Sequence, residues 1–150
     1  MRAFLFPISL TLLLFISACS ASSNQSQEVV NELTKQITMT PTMGGVTGIL
    51  KSTSSGEPLD NTVVRLAKVY WNEDNTDGAF VLEGATSPST ISNEEGGFII
   101  ANIEPADYVM VVGEVIGIHE IISNPDGSAI IYTIQSGTIL DIKTLEVDLP

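Results

Sequence analysis

Apolar residues follow three regimes along this chain. From Phe4 to Ile16 they run together without a charge, dominated by Leu, Phe and Ile. From Ser20 to Gln27 they almost vanish, leaving Ser-Ala-Ser-Ser-Asn-Gln-Ser-Gln. Between Glu28 and Ile37, Val29, Leu33 and Ile37 recur at four-residue spacing, which predicts a short helix with Ser26 as its N-cap. Ten such residues are marginal as a helix in water. After Gly44 the spacing shortens to two. Val64 and Leu66 share one face while Arg65 takes the other, Phe98 pairs with Ile100, and Tyr108 pairs with Met110 and Val112. Near the C-terminus Leu145, Val147 and Leu149 alternate with Glu146 and Asp148, as in a strand with one dry face.

Turn signals punctuate this second half at Ser54-Ser55-Gly56, Asp77-Gly78, Gly96-Gly97, Pro105, Pro125-Asp126-Gly127 and Gly137. The intervening segments are rich in Ile, Val and Thr, whose branched side chains suit a pleated surface. Short strands at such intervals predict an all-β sandwich or barrel. Segments 118–123 and 129–134 flank Asn124-Pro125-Asp126-Gly127 and are expected to pair as a hairpin.

Composition narrows the range of functions. The chain has 150 residues, enough for one modest domain. Lys and Arg number 6 against 18 Asp and Glu, and the net charge of -12 excludes a phosphate-neutralising nucleic-acid surface. One Cys excludes an internal disulfide or CxxC site, and one His excludes a His-pair zinc site.

The apolar run at 4–16 follows Arg2 and is shorter than the roughly 20 residues that a membrane-spanning helix needs. It fits the apolar region of a secretory signal. Directly after it comes Ile16-Ser17-Ala18-Cys19, which resembles the lipobox of bacterial lipoproteins. The resemblance implies cleavage before Cys19 and thioether attachment of diacylglycerol to its sulfur. The alternative is an ordinary signal peptide with a chance cysteine. Ser20 stands where an Asp would favour inner-membrane retention in Gram-negative sorting, so the resemblance implies an exported chain anchored to the cell membrane or outer membrane. Loss of Arg2 would take the net charge from -12 to -13. Residues 20–27 would then act as a tether with a reach of roughly 15 Å.

Further on, Thr47-Gly48-Ile49-Leu50 and Gly56-Glu57-Pro58-Leu59-Asp60-Asn61-Thr62-Val63-Val64-Arg65-Leu66 resemble the opening of a carboxypeptidase regulatory-like domain. Glu95-Gly96-Gly97-Phe98-Ile99-Ile100-Ala101-Asn102-Ile103-Glu104-Pro105 and Tyr108-Val109-Met110-Val111-Val112 resemble its second half. The family's Gly after Pro is missing, and Ala106 and Asp107 occupy that corner. The resemblance implies an all-β, transthyretin-like Greek-key β-sandwich of about seven strands. The expected organisation is a signal peptide over 1–18, a lipidated cysteine and polar stalk over 19–44, and the sandwich over 45–150. Gly96 or Gly97 should relieve a turn, Phe98 should fill the core, and the Tyr108 hydroxyl should reach a backbone carbonyl.

No motif announces catalysis. His119 stands in an apolar segment, expected as an edge-strand histidine, and neither a Gly-x-Ser-x-Gly elbow nor a phosphate loop occurs. Glu73, Asp74 and Asp77 crowd the loop after Trp71, with Glu94 and Glu95 in another, and such oxygens suit calcium. The EF-hand spacing is missing, and a solvated acidic loop is the default reading. Tyr70 and Trp71 would point to opposite faces of a strand. Trp71 is expected to cap the core, or else to serve as a partner contact. The expectation is a non-enzymatic, cofactor-free, lipid-anchored envelope module. It would bind, display or support another envelope protein, or serve an envelope complex as an accessory that takes calcium or glycan.

Overall fold

The computed structural model describes residues 21–114 and 116–149. The expected signal segment, the lipobox-like residues 16–19 and with them Cys19 lie outside the described residues. Among the described residues one helix, α1 (Ala21–Lys35), precedes nine strand segments. These are β1 (Gly44–Ser52), β2 (Val63–Trp71), β3 (Gly78–Val81), β4 (Ser89–Ile91) and β5 (Gly97–Ile103), then β6 (Ala106–Gly113), β7 (His119–Ile121), β8 (Ile131–Ile134) and β9 (Ile139–Val147).

One sheet has the order β5-β1-β9, with β1 antiparallel to β5 and parallel to β9. The other is built on β3-β2-β6-β7, with β4 also on β2 and β8 also on β6. The register shows that its six segments occupy four positions. Trp71 to Lys68 pair with β3 and Arg65 to Val63 with β4, so β3 and β4 share one edge line. On the opposite edge, Gly113 to Val111 pair with β7 and Val109 to Ala106 with β8. Three positions in one sheet and four in the other make the expected seven-position sandwich, with Greek-key crossings between the sheets.

The interrupted edges alter one expectation. The turn at 124–127 forms, with the Asn124 N–H donating to the Ser128 carbonyl (2.7 Å) and the Ile130 N–H to the Ile122 carbonyl (2.9 Å). The flanks pair with each other beside the turn, through an antiparallel bridge between Ser123 and Ala129, but the expected hairpin stops there. Both add to β6, and residues 122–130 loop out between them. The reason is the long apolar run of β6, which offers a stronger ladder than either short flank offers the other. Breaking both edges of this sheet also shortens the unpaired backbone presented to other chains.

Inward-facing residues of both sheets form the core, led by Phe98, Leu50, Leu66, Met110, Ile103 and Val147. The alternation in the sequence selects these side chains, since residues two apart share a face. Tyr108 buries its ring and donates its hydroxyl to the Glu104 carbonyl at 2.9 Å, as expected. Burial pushes its hydroxyl pKa above the ordinary tyrosine value. The corner missing the family's Gly turns without positive φ at Ala106 or Asp107; the left-handed residue nearby is Asn102, at φ 57°. Of the two adjacent glycines, Gly96 makes the turn (φ 73°).

Gly97 has another task. It lies under α1, where an added Cβ would come 2.6 Å from Val29 Cγ1 and 3.0 Å from Leu33 Cδ1. The helix is longer than expected and lies on the outer face of the β5-β1-β9 sheet, with Val30 buried. Ser26 is therefore inside the helix and does not cap it. Tertiary contact supplies the stability that ten or fifteen isolated residues lack. The segment after the helix is also tied down. Asn102 Oδ1 accepts the Thr40 N–H (2.8 Å), Asn102 Nδ2 donates to the Thr38 carbonyl (3.3 Å), and the Gly137 N–H donates to the Met43 carbonyl (2.8 Å).

Substituting Gly97→Val tests this docking. Overpacking of this kind costs about 1–3 kcal/mol. Amide exchange over 21–35 should accelerate sharply while β2 and β6 keep their protection. Unchanged protection of the helix would show that α1 does not depend on the contact.

Candidate functional site

β2 alternates across its sheet, so Val64 and Leu66 face the core while Ala67, Val69 and Trp71 face outward. Register extends this outer face across the whole sheet. Val69 stands opposite Phe80 on β3, and Asp107 on β6 stands opposite Thr133 on β8. In the next row Ala67 pairs with Val109, and Val109 with Ile131. Ala67, Val69 and Val109 are buried here although they lie outside the sandwich core, whereas Phe80 and Ile131 remain exposed.

Trp71 belongs to this outer face and does not cap the core. Its ring lies against Gly78, where an added Cβ would meet Trp71 Cε3 at 2.9 Å and Val69 Cγ1 at 3.1 Å. The indole N–H donates to Asp107 Oδ2 at 2.8 Å, and Asp107 Oδ1 accepts the Thr133 hydroxyl at 2.6 Å. A carboxylate held from one side by Thr133 thus holds the indole from the other. The ring stays 39% exposed. Rigid aromatic surface with a satisfied polar edge loses little entropy on contact, which is why such residues anchor interfaces.

Tyr70 points to the opposite face of β2, with Lys68 and with Val81 across the register. They border a cavity of about 300 Å³ with Tyr108, Glu104 and Asn102. Lys68 Nζ donates to Glu104 Oε2 at 2.8 Å, and that hydrogen bond raises the lysine pKa. The lysine therefore stays charged.

The other sequence candidates do not join this site. In the 72–77 loop, Asn72 Oδ1 accepts the Thr76 and Asp77 N–H groups (2.9 and 3.3 Å), while Asp77 Oδ1 accepts the Gly78 N–H (2.9 Å). This is a self-satisfied turn, and among the described residues no three His, Cys, Asp or Glu side chains converge as an ion cage. Glu73, Asp74 and Asp77 are therefore not brought together as ligands. Glu94 and Glu95 sit exposed in the turn that Asn93 organises. His119 is exposed on β7 with Nδ1 3.2 Å from the Gly117 carbonyl. Sequence reasoning missed Asp107, Thr133, Phe80 and Ile131. An outward Asp in an otherwise apolar strand, Asp107-x-Val109, was the available signal.

No protein-family model matches the chain, and no curated protein matches it. Solved structures similar to it include a DUF3823 family protein from Bacteroides uniformis, 20% identical over 70% of this chain and 43% of that one, with a TM-score of 0.44. The major pilin subunit of Bacillus cereus is 16% identical over 73% of this chain and 31% of its own, with a TM-score of 0.42. A 9R-lipoxygenase from Cyanothece is 16% identical over 81% of this chain and 20% of its own, with a TM-score of 0.41. The chain thus spans less than half the length of each. The fold itself is a two-sheet, all-β sandwich.

Because Trp71 is the sole tryptophan, its fluorescence reads the site directly. In Asp107→Ala the indole loses its acceptor. Acrylamide quenching should rise, with a stability loss of about 1–3 kcal/mol for a hydrogen bond to a charged group. Quenching equal to that of the unaltered protein would mean that Asp107 does not hold the ring.

Proposed function

We propose that this protein is a lipid-anchored cell-envelope module that works by binding and display, without catalysis. The observation that carries the reading is the outer face around Trp71. An apolar row of Ala67, Val109 and Ile131 runs across three strand positions, Val69 and Phe80 extend it toward Trp71, and the indole is held by Asp107 yet left open to solvent. Such a surface, broad and mostly apolar, suits a second macromolecule better than it suits a reacting small molecule. The partner is another envelope protein, with a glycan as the second ligand class that an exposed indole can stack against.

The lipobox-like Ile16-Ser17-Ala18-Cys19 supports the anchoring half of the proposal. A single acyl chain binds membranes only marginally, whereas two or more hold stably, so a diacylglyceryl cysteine would suffice. The sandwich then serves as a rigid support that carries its outer face at a set distance from the bilayer.

Two substitutions separate the halves. Cys19→Ser should abolish incorporation of labelled fatty acid and move the protein out of the membrane fraction. Trp71→Ala should leave membrane attachment intact, shift the melting temperature by only a few degrees, and remove a cross-linked envelope partner or retention on a glycan array. Full cross-linking and glycan retention in Trp71→Ala would reject this face as the binding surface.

A further inference from the structure

The end of the sandwich away from Trp71 is apolar where an acidic protein has least reason to be. Ile116 is 94% exposed, Ile118 59% and Ile91 57%. Single exposed isoleucines need no explanation, but these share one place. Ile91 and Ile118 line a cavity of about 500 Å³ together with Val63, Gly113 and Leu149. Ile116 lies in the same loop as Ile118, which the Glu114 N–H closes by donating to the Ile118 carbonyl at 2.9 Å. A loop that needed only to reverse the chain would carry polar residues at its tip.

The first half of α1 lies at this same end. Gln25 and Ser26, in the first half of α1, border a cavity with Lys51, Gly56 and Pro58. Those residues begin the connection from β1 to β2, and its far end, Asn61 and Thr62, borders Ile91 and Ile118. Only Ser20 separates Cys19 from Ala21, so two Cα-to-Cα steps, about 7 Å of chain at most, join the anchor site to the helix.

Resting on the reading that Cys19 is anchored, we propose that this end of the sandwich is a membrane-docking surface, with Ile91, Ile116 and Ile118 entering the interfacial layer. The anchor makes the contact intramolecular, so a small apolar patch suffices. Each isoleucine that leaves water adds to the seated population in proportion to the apolar area it buries. Glu57, Glu94, Glu95 and Glu114 flank this end, so the lipid surface it fits is zwitterionic, and anionic headgroups repel it. Seating this end on the bilayer places Trp71 outward. β2 runs from Val63 beside the patch to Trp71, eight steps or roughly 26 Å.

The test uses the full lipidated protein in phosphatidylcholine vesicles that carry nitroxide on their acyl chains. A fluorophore on Ile116→Cys should be quenched several-fold more than one on Phe80→Cys. In Ile116→Asp/Ile118→Asp, both exposed positions, a fluorophore on Ile91→Cys should lose its quenching while circular dichroism stays unchanged. Phosphatidylglycerol should weaken quenching at low salt; stronger quenching would show a charge-driven contact and overturn the proposal. So would cross-linking of position 116 to a protein in native membranes. The mass of the N-terminal peptide reads the anchor separately. Lipid on Cys19 without quenching at 116 overturns the docking surface and leaves the anchor standing. Quenching at 116 with an unmodified Cys19 supports the docking surface and overturns the anchor.

Discussion

Burial of β1 on both faces is the constraint on which the rest of the structure depends. Val46 and Leu50 point into the sandwich, while Thr47 and Ile49 are covered on the outside. Thr47 is tolerated there because its hydroxyl donates to the Phe98 carbonyl at 2.8 Å, so no polar group is left unpaired. A strand enclosed on both sides needs a cover on the outer face, and α1 lies across that sheet. The helix gains the tertiary contact that a short, polar segment requires, and the strand gains exclusion of water. Each element is marginal without the other.

This arrangement leaves little free chain between Cys19 and the sandwich. A polar stalk reaching roughly 15 Å would let the domain tumble. A helix packed on the sheet, followed by a segment held by Asn102, ties the N-terminal region to one end of the body. The β-sandwich then has two unlike ends. One carries the isoleucines and the first half of α1; the other carries the outward aromatic face that Asp107 stabilises. Strand length sets the spacing between them, and strands in a closed sandwich are stiff.

Much of the fold was legible in the residues. Two-residue alternation picked out Val64, Leu66, Phe98, Ile100, Tyr108, Met110 and Val112 as core, and each is buried. The Tyr108 hydroxyl bond was also foreseeable, because a buried phenol near a strand corner has few partners besides a nearby carbonyl. The hairpin at 124–127 forms but is shorter than its flanks allow, since local turn chemistry does not reveal that β6 takes the outer part of both. Trp71 was misplaced for a related reason. Alternation says that Tyr70 and Trp71 diverge, but an outward face can bury apolar atoms too when neighbouring strands supply side chains.

By itself, the sequence determined the class of fold and the inward set of side chains, because periodicity is a local property of a chain. Only the tertiary structure decided that β3 and β4, and likewise β7 and β8, share edge positions. It also joined Trp71 to Asp107 across 36 residues and gathered Ile91 with Ile116 and Ile118. Those pairings depend on which strands lie side by side. That choice is a competition among ladders and buried surfaces over the whole domain, and no short stretch of sequence contains its outcome.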